Sequence, residues 1–348
     1  MSPYVIMIFL SSLGLGTTLT FMSSHWLLAW MGLEINTMSI LPLMAMRHHP
    51  RAVEATTKYF LTQATAAATI LFASLINAWT TGEWNTNSLT DPTATTLMMM
   101  ALALKLGLAP VHFWMPAVMQ GLNLTTGLIM ATWQKLAPFA LITQISPMVN
   151  QQLIITLGLL SVIVGGWGGL NQTQLRMILA YSSIAHLGWM TIIMQFKPQL
   201  TMLTLILYIM MTSAAFLTLK LLATTKINTL STSWSKSPIT TTTMTLTLLS
   251  LGGLPPLSGF LPKWLILQEL TMQGLPLTAT VAALSALLSL YFYLRLCYSM
   301  ALTTFPSTNN TSTPWRTQNM QNTAPLATLT TLSLLLLPML PLTQALMT

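Results

Sequence analysis

Four charged side chains, Glu34, Lys105, Lys135 and Lys263, lie within long apolar stretches where ionisable residues are rare. A charge at the centre of a bilayer costs about 2.5–3.5 kcal/mol on insertion scales, so such groups face protein or water and often carry protons. One acid cannot neutralise three lysines, so at least two lysines must at times be neutral, hydrated or paired across a subunit boundary. We expect the four to relay protons. The alternative is that Glu34 and one lysine form a buried structural ion pair.

His186 is a weaker candidate in the middle of another apolar stretch. A neutral imidazole both donates and accepts a hydrogen bond and could relay protons, but a histidine held in the core by packing explains the residue equally well. No two histidines have the spacing on one helix that would sandwich a haem. The single cysteine, Cys297, excludes disulfides and a Cys-ligated zinc or iron–sulfur site built by this chain alone. The sequence therefore predicts no cofactor and no metal site in this chain.

The composition excludes a soluble enzyme. Charged residues make up 5% of the 348 residues, whereas a soluble domain carries about 25%. Apolar residues make up 53%, and the mean hydropathy is +0.67. The 13 basic residues are scattered without a basic run, which argues against nucleic-acid binding despite the net charge of +8. The predicted fold class is an all-α polytopic membrane protein.

Apolar runs between polar and proline-containing breaks predict eleven transmembrane helices. Their approximate limits are 3–21, 24–46, 56–80, 92–119, 124–145, 150–170, 174–194, 200–223, 239–270, 276–303 and 325–346. An odd number of spans places the two termini on opposite sides of the membrane. Most basic residues between the spans then fall on the amino-terminal side, namely Arg47, Arg51, Lys58, Arg176, Lys220, Lys226, Lys236, Arg295 and Arg316. By the positive-inside rule, the amino terminus faces the compartment of synthesis.

The fourth and ninth spans each contain the pattern G-L-x-P-x5-P, with glycine and first proline at Gly107 and Pro110 and again at Gly253 and Pro256. Proline removes a backbone donor and clashes with the preceding turn, so both helices should be interrupted within the membrane. Paired interruptions at corresponding places in two halves indicate inverted repeats around a transport path; two ordinary proline kinks are the alternative. We expect one five-helix repeat at 1–146, a second at 147–303, and a loop and final helix at 304–348.

Several strings of the sequence resemble one known family, the antiporter-like membrane subunits of respiratory complex I (NADH:ubiquinone oxidoreductase). They are SHWLL at 24–28, KYFLTQA at 58–64, LKLGLAP at 104–110, WQKLAP at 133–138, GWGGLNQ at 166–172 and GGLPPLSGF at 252–260. The likeness covers essentially the whole chain. It implies two inverted five-helix repeats, each with a broken helix, in one of several proton-pumping units.

The resemblance also implies roles for the buried charges. It makes Glu34 the coupling carboxylate, Lys105 its partner, Lys135 the link toward the second half and Lys263 the terminal lysine toward the neighbouring pump. His186 would lie on the central polar axis. Two positions depart from the pattern of this family: Ala117, where many relatives carry an acid, and Met177, where a lysine is common.

The resemblance further implies the surroundings of the chain. FMN, iron–sulfur clusters and ubiquinone would be bound by other subunits of the complex. The neighbours would be the small chain 4L on the Glu34 side, chain 4 beyond Lys263, accessory subunits and membrane lipid. The location would be the mitochondrial inner membrane, with the amino terminus in the matrix and the carboxyl terminus in the intermembrane space. The competing expectations are a stand-alone cation/proton antiporter and a structural subunit that does not pump.

Overall fold

The computed structural model describes residues 2–46, 49–235, 237–301 and 323–339, and the regular elements within these ranges are helices. The α-helices are α1 (Pro3–Met22), α2 (Trp26–Ala45), α3 (Pro50–Thr81), α4 (Pro92–Leu106), α5 (Trp114–Gly121), α6 (Leu124–Ala131), α7 (Trp133–Ile145), α8 (Gln151–Gly168), α9 (Leu175–Ile193), α10 (Pro198–Leu222), α11 (Ile227–Ser231), α12 (Pro238–Gly252), α13 (Phe260–Met272), α14 (Pro276–Ala301) and α15 (Ala324–Leu335). The all-helical fold class predicted from the sequence is confirmed. Arg47, Lys236 and Arg316 lie outside the described residues.

The predicted spans coincide with these helices. Seven of the first ten match a single helix, and the fourth, fifth and ninth each match two consecutive helices, α4 with α5, α6 with α7, and α12 with α13. The eleventh begins with α15, and its last residues lie outside the described part of the chain. Within the described ranges, six helices are long and apolar enough to cross a membrane uninterrupted: α1, α2, α3, α8, α10 and α14.

The chain divides into two compact units, Met1–Ser161 and Val162–Thr348, with the boundary inside α8. In the first unit α1 packs along α2, and α4 packs against α3 and α7. In the second unit α12 packs against α10 and α14, and α13 packs against α9, α10 and α14. The short helices of each unit are therefore held by long neighbouring helices.

The first interruption separates α4 from α5 and is closed by a Schellman cap. Gly107 adopts a left-handed backbone (φ 79°), its amide donates to the Leu104 carbonyl, and the Leu108 amide donates to the Ala103 carbonyl over 2.9 Å. The connecting segment also has an outside partner, because the Ala109 amide donates to the Ser161 hydroxyl over 3.0 Å.

The second interruption, between α12 and α13, repeats this arrangement. Gly253 has φ 82°, its amide donates to Ser250, and the Leu254 amide donates to Leu249. The limits of the helices correspond as well. α4 and α12 each begin with a proline and are 15 residues long, while Trp114 and Phe260 occupy equivalent first positions of α5 and α13. The shared sequence pattern thus corresponds to one shared backbone geometry.

Helices α1 and α2 approach each other closely beside Glu34. A Cβ built on Gly16 of α1 would lie 2.4 Å from the Asn36 Oδ1 and 2.8 Å from the Gly32 carbonyl oxygen. Small residues that allow such close backbone approach are typical of helix contacts in membranes. This contact fixes the turn of α2 that carries Glu34.

Candidate functional site: two lysine cavities

In the first unit, Lys105 and Lys135 line the same small cavity. Lys105 comes from the last turn of α4 and Lys135 from the first turn of α7; both are buried, with 6% and 3% of their surface exposed. The cavity has a volume of about 20 Å³, and its lining also includes Asn36, Gln63 and Gln134. A space of this size holds about one water molecule. The sequence prediction singled out the two lysines, and the structure brings them to one site.

Three buried polar atoms around this cavity have no hydrogen-bond partner among the described residues: Lys105 Nζ, Asn36 Oδ1 and Gln63 Nε2. Buried polar groups in proteins are almost always hydrogen-bonded, to protein or to ordered water. Two of these atoms donate and one accepts, so a water molecule in the cavity would match them. The cavity is therefore built for a polar occupant.

Glu34 lies in the middle of α2, half-buried, two residues before Asn36, which belongs to the cavity wall. Its carboxylate accepts a hydrogen bond from Thr37 Oγ1 over 3.0 Å. The two ion pairs found in the described part of the chain, Lys58 with Glu54 and Lys197 with Glu269, include neither Glu34 nor Lys105. Glu34 and Lys105 therefore form no direct ion pair with each other.

Glu34 also borders an open groove between α1 and α2. The groove has a volume of about 480 Å³, and its lining is largely apolar, with Ile8, Phe9, Trp30 and Met38 among the lining residues. The carboxylate region thus lies between the lysine cavity and an outer face of the first unit. Its half-buried position suits a group that responds to changes at that face.

Lys135 lies at a third helix interruption, which the sequence analysis missed. The predicted span 124–145 is divided at Thr132 (φ −115°, ψ −70°), the residue between α6 and α7. The Thr132 hydroxyl and amide both bond to the Leu128 carbonyl, closing the end of α6. Lys105 and Lys135, which are buried, and Lys263, which is half-buried, thus each lie within a few residues of a helix break.

In the second unit, Lys263 joins the two halves of its broken helix. Lys263 Nζ, from the first turns of α13, donates a hydrogen bond of 2.8 Å to the carbonyl of Gly252, the last residue of α12. A hydrogen bond from an ammonium is stronger than one between neutral groups. At the first break a different side chain has the bridging role, because Trp114 Nε1 of α5 donates to the Leu104 carbonyl over 3.0 Å.

His186 shares a cavity with Lys263. This cavity also measures about 20 Å³, and Thr204 and Met211 of α10 and Ile266 of α13 belong to its wall. The His186 ring lies 5.5 Å from the ring of Tyr208, centroid to centroid. Each unit therefore holds a water-sized cavity lined by a lysine beside a broken helix, buried in the first unit and half-buried in the second, and by a second titratable side chain.

Sequence reasoning missed the neutral polar residues of the first cavity. Asn36 and Gln63 occur at helix positions that periodicity alone assigns to an ordinary core, and Gln134 Nε2 donates to the Asn36 backbone carbonyl over 3.3 Å. In the ranges that the structure describes, no group of three or more His, Cys, Asp or Glu side chains could hold a metal ion.

Comparison with known proteins assigns the chain to a family. The family model described as NADH:quinone oxidoreductase/Mrp antiporter matches residues 23–289, and one described as NADH dehydrogenase subunit 2 C-terminus matches residues 290–344. NADH-ubiquinone oxidoreductase chain 2 of Formosania lacustris is 73% identical over 93% of each chain. The chain belongs to the chain 2 family. It is thus an antiporter-like membrane subunit of NADH-ubiquinone oxidoreductase, an H⁺-translocating enzyme.

Solved structures have the same fold as this member of the chain 2 family. A chain of respiratory complex I from Thermus thermophilus with bound aureothin superposes with a TM-score of 0.85 at 29% identity, covering 97% of this chain and 78% of that one. A chain of the Mrp complex from Dietzia sp. DQ12-45-1b has a TM-score of 0.79 at 16% identity, covering 94% and 74%, and shows the fold alone. A stand-alone antiporter is therefore not favoured over the complex I subunit.

Proposed function

We propose that this chain moves protons across the membrane through its two cavities, using Lys105 and Lys135 in the first unit and Lys263 and His186 in the second. Glu34 would couple the first cavity to events in neighbouring subunits. The observation that carries the proposal is the cavity shared by two buried lysines, one of which has a side-chain nitrogen unpartnered among the described residues. An ammonium without a protein partner among the described residues can bond to water in the cavity and exchange a proton with it.

The chemistry follows from the charges. A water molecule beside Lys105 accepts the proton of the ammonium, which leaves a neutral amine, and passes a proton on toward Lys135. An ionised Glu34 would attract the ammonium of Lys105, and protonating or moving that carboxylate would remove the attraction. No redox step is needed in this chain, so electron transfer from NADH and quinone chemistry take place elsewhere in the complex.

The proposal includes the arrangement of the complex. We place FMN, iron–sulfur clusters and ubiquinone in other subunits, chain 4L on the Glu34 side, chain 4 beyond Lys263, and accessory subunits and lipid around the rest. Residues 1–146 and 147–303 would be the inverted repeats, followed by the loop and helix of 304–348. The membrane would be the mitochondrial inner membrane, with the amino terminus in the matrix. The matching limits of the broken helices support the repeats.

The test is the proton yield per NADH of the assembled complex in proteoliposomes, with a pH-sensitive dye inside the vesicles. Lys105→Met and Lys135→Met are compared with Lys58→Met, whose lysine lies on the same unit but is half exposed and paired with Glu54. We expect both buried-site variants to lose proton yield and the control to keep it. If the double variant loses no more proton yield than either single variant, both lysines belong to one path.

Native electrophoresis with an in-gel NADH oxidation assay establishes that each variant has assembled. A fully assembled Lys135→Met complex with unchanged proton yield would refute the pumping role of the first cavity. Migration of the natural chain as a small oligomer without NADH oxidation would contradict the assignment to the complex.

A further inference from the structure

One ion pair of the second unit connects its interior with the surface. Glu269 lies in the last turns of α13, and 9% of its surface is exposed. Its carboxylate lies 2.6 Å from Lys197 Nζ and accepts a hydrogen bond of 3.0 Å from the Gln273 side chain. The Lys197 side chain is 57% exposed. A carboxylate that is itself covered, but whose partner reaches water, is in contact with both environments.

The face of α10 that begins at this ion pair leads to the Lys263 cavity. Lys197 directly precedes α10, and Thr201, Thr204, Tyr208 and Met211 follow at intervals of four and three residues, which places them on one helix face. Thr204 and Met211 line the cavity. The intervening neighbours Met202 and Ile206 are exposed, consistent with an opposite face.

The hydroxyls along this face can pass hydrogen bonds on. Thr201 and Thr204 are buried, and each donates its hydroxyl proton to a carbonyl of its own helix, to Pro198 and Thr201 respectively. Their oxygen lone pairs can accept from water. The seven residues from Lys197 to Thr204 span about 10 Å of helix, a distance that two or three water molecules bridge.

The second helix shows the same alignment. Pro262, Ile266, Glu269 and Gln273 of α13 recur at intervals of four, three and four, and the first two line the cavity. Ile266 is buried, lines the cavity and precedes Glu269 by three residues on this face. This apolar side chain lies between the cavity and Glu269 along α13, so the water chain proposed below requires Ile266 to move aside.

We propose that Glu269 is the port through which the Lys263 cavity exchanges protons with water, at the surface where α10 begins and α13 ends. The inference rests on the proposed function and adds to it a named residue and an apolar barrier. The Lys263 ammonium releases a proton to a water chain along Thr204 and Thr201. The Glu269 carboxylate takes up that proton and then gives it to surface water, returning to its charged form beside Lys197.

A purely structural role is the competing explanation of the pair. It would fix the end of α13 against the start of α10 and would need both partners equally. The port needs the carboxylate, whereas Lys197 only holds it in place. Single substitutions of the two partners therefore separate the explanations.

The experiment compares Glu269→Gln, Lys197→Gln and Lys263→Met in the assembled complex, by proton yield per NADH in proteoliposomes. The matched control is Glu54→Gln, which breaks the exposed ion pair of the first unit. We expect Glu269→Gln to lower the yield by the same fraction as Lys263→Met, with no further fall in the double variant. Lys197→Gln should cause less than half of that loss, and the control none.

The outcomes are distinct. Full yield in Glu269→Gln together with a loss in Lys263→Met overturns the port and leaves the proposed function standing. Full yield in Lys263→Met refutes the proposed function for this cavity. Equal losses in Glu269→Gln and Lys197→Gln make the pair structural. If Glu269→Gln does not assemble, Glu269→Asp, which keeps the carboxylate, is tested in its place. The port requires this variant to assemble and to pump. A loss of proton yield in an assembled Glu269→Asp complex, alongside a normal Lys197→Gln complex, also contradicts the port.

Discussion

A methyl group at Gly253 should disturb the second unit more than the same change at Gly107 disturbs the first. Both glycines have φ near 80°, so an alanine pays about 1–2 kcal/mol of left-handed backbone strain at either site. A Cβ at Gly107 would lie no closer than 3.3 Å to a neighbour, the Met115 sulfur. At Gly253 it would lie 2.9 Å from Lys263 Nζ and so displace the ammonium from the Gly252 carbonyl. That charged hydrogen bond is worth about 1.5–3 kcal/mol.

We therefore expect Gly107→Ala to lower the free energy of opening its helix cap by about 1–2 kcal/mol, and Gly253→Ala to lower that of its cap by about 2.5–5 kcal/mol. Hydrogen–deuterium exchange of the assembled complex measures this directly, because the capping amides of residues 107–108 and 253–254 exchange when the caps open. The proton yield should fall further in Gly253→Ala than in Gly107→Ala. Equal acceleration of exchange and equal yields in the two variants would refute the placement of Lys263 against Gly252.

Two further predictions concern packing. Gly16→Ala should separate α1 from α2, because its methyl group would lie 2.4 Å from the Asn36 side chain. We expect it to destabilise this contact by about 1–3 kcal/mol and to reduce assembly on native gels. Gly14→Ala, with open space around it, should assemble normally. Arg295 Nη1 donates a hydrogen bond to the Leu170 carbonyl over 2.7 Å, and a charged hydrogen bond contributes about 1.5–3 kcal/mol. Arg295→Gln should therefore speed amide exchange just after α8 about tenfold or more. Unchanged exchange would contradict that bond.

The helical class, the approximate spans and two of the interruptions could be predicted because their signals are local. Apolar runs of membrane length define spans, and the glycine of G-L-x-P supplies the left-handed residue that ends α4 and α12. The break at Thr132 has no comparable signal, since Thr132 and Trp133 fit an uninterrupted helix as well as a divided one. Tertiary packing decides there.

The partners of the charges also depended on packing. The sequence predicts that Lys263 lies within a membrane span, but its hydrogen-bond acceptor is a backbone carbonyl, which residue types cannot predict. Glu269 and Lys197 are 72 positions apart in the sequence, and the packing of α13 on α10 brings them together. Residues distant in sequence and neutral polar side chains such as Gln63 therefore had to come from the structure.

The bond from Lys263 to the Gly252 carbonyl has a consequence for how this subunit tolerates genetic change. The partner of the lysine is a backbone carbonyl, so it does not depend on the identity of any one side chain. Any sequence that ends α12 at this point presents the same carbonyl and the negative end of the helix dipole. Residues of the last turn of α12 can therefore drift without removing the partner of the lysine. Gly253 is under a stricter constraint, because a side chain there would occupy the place of the ammonium.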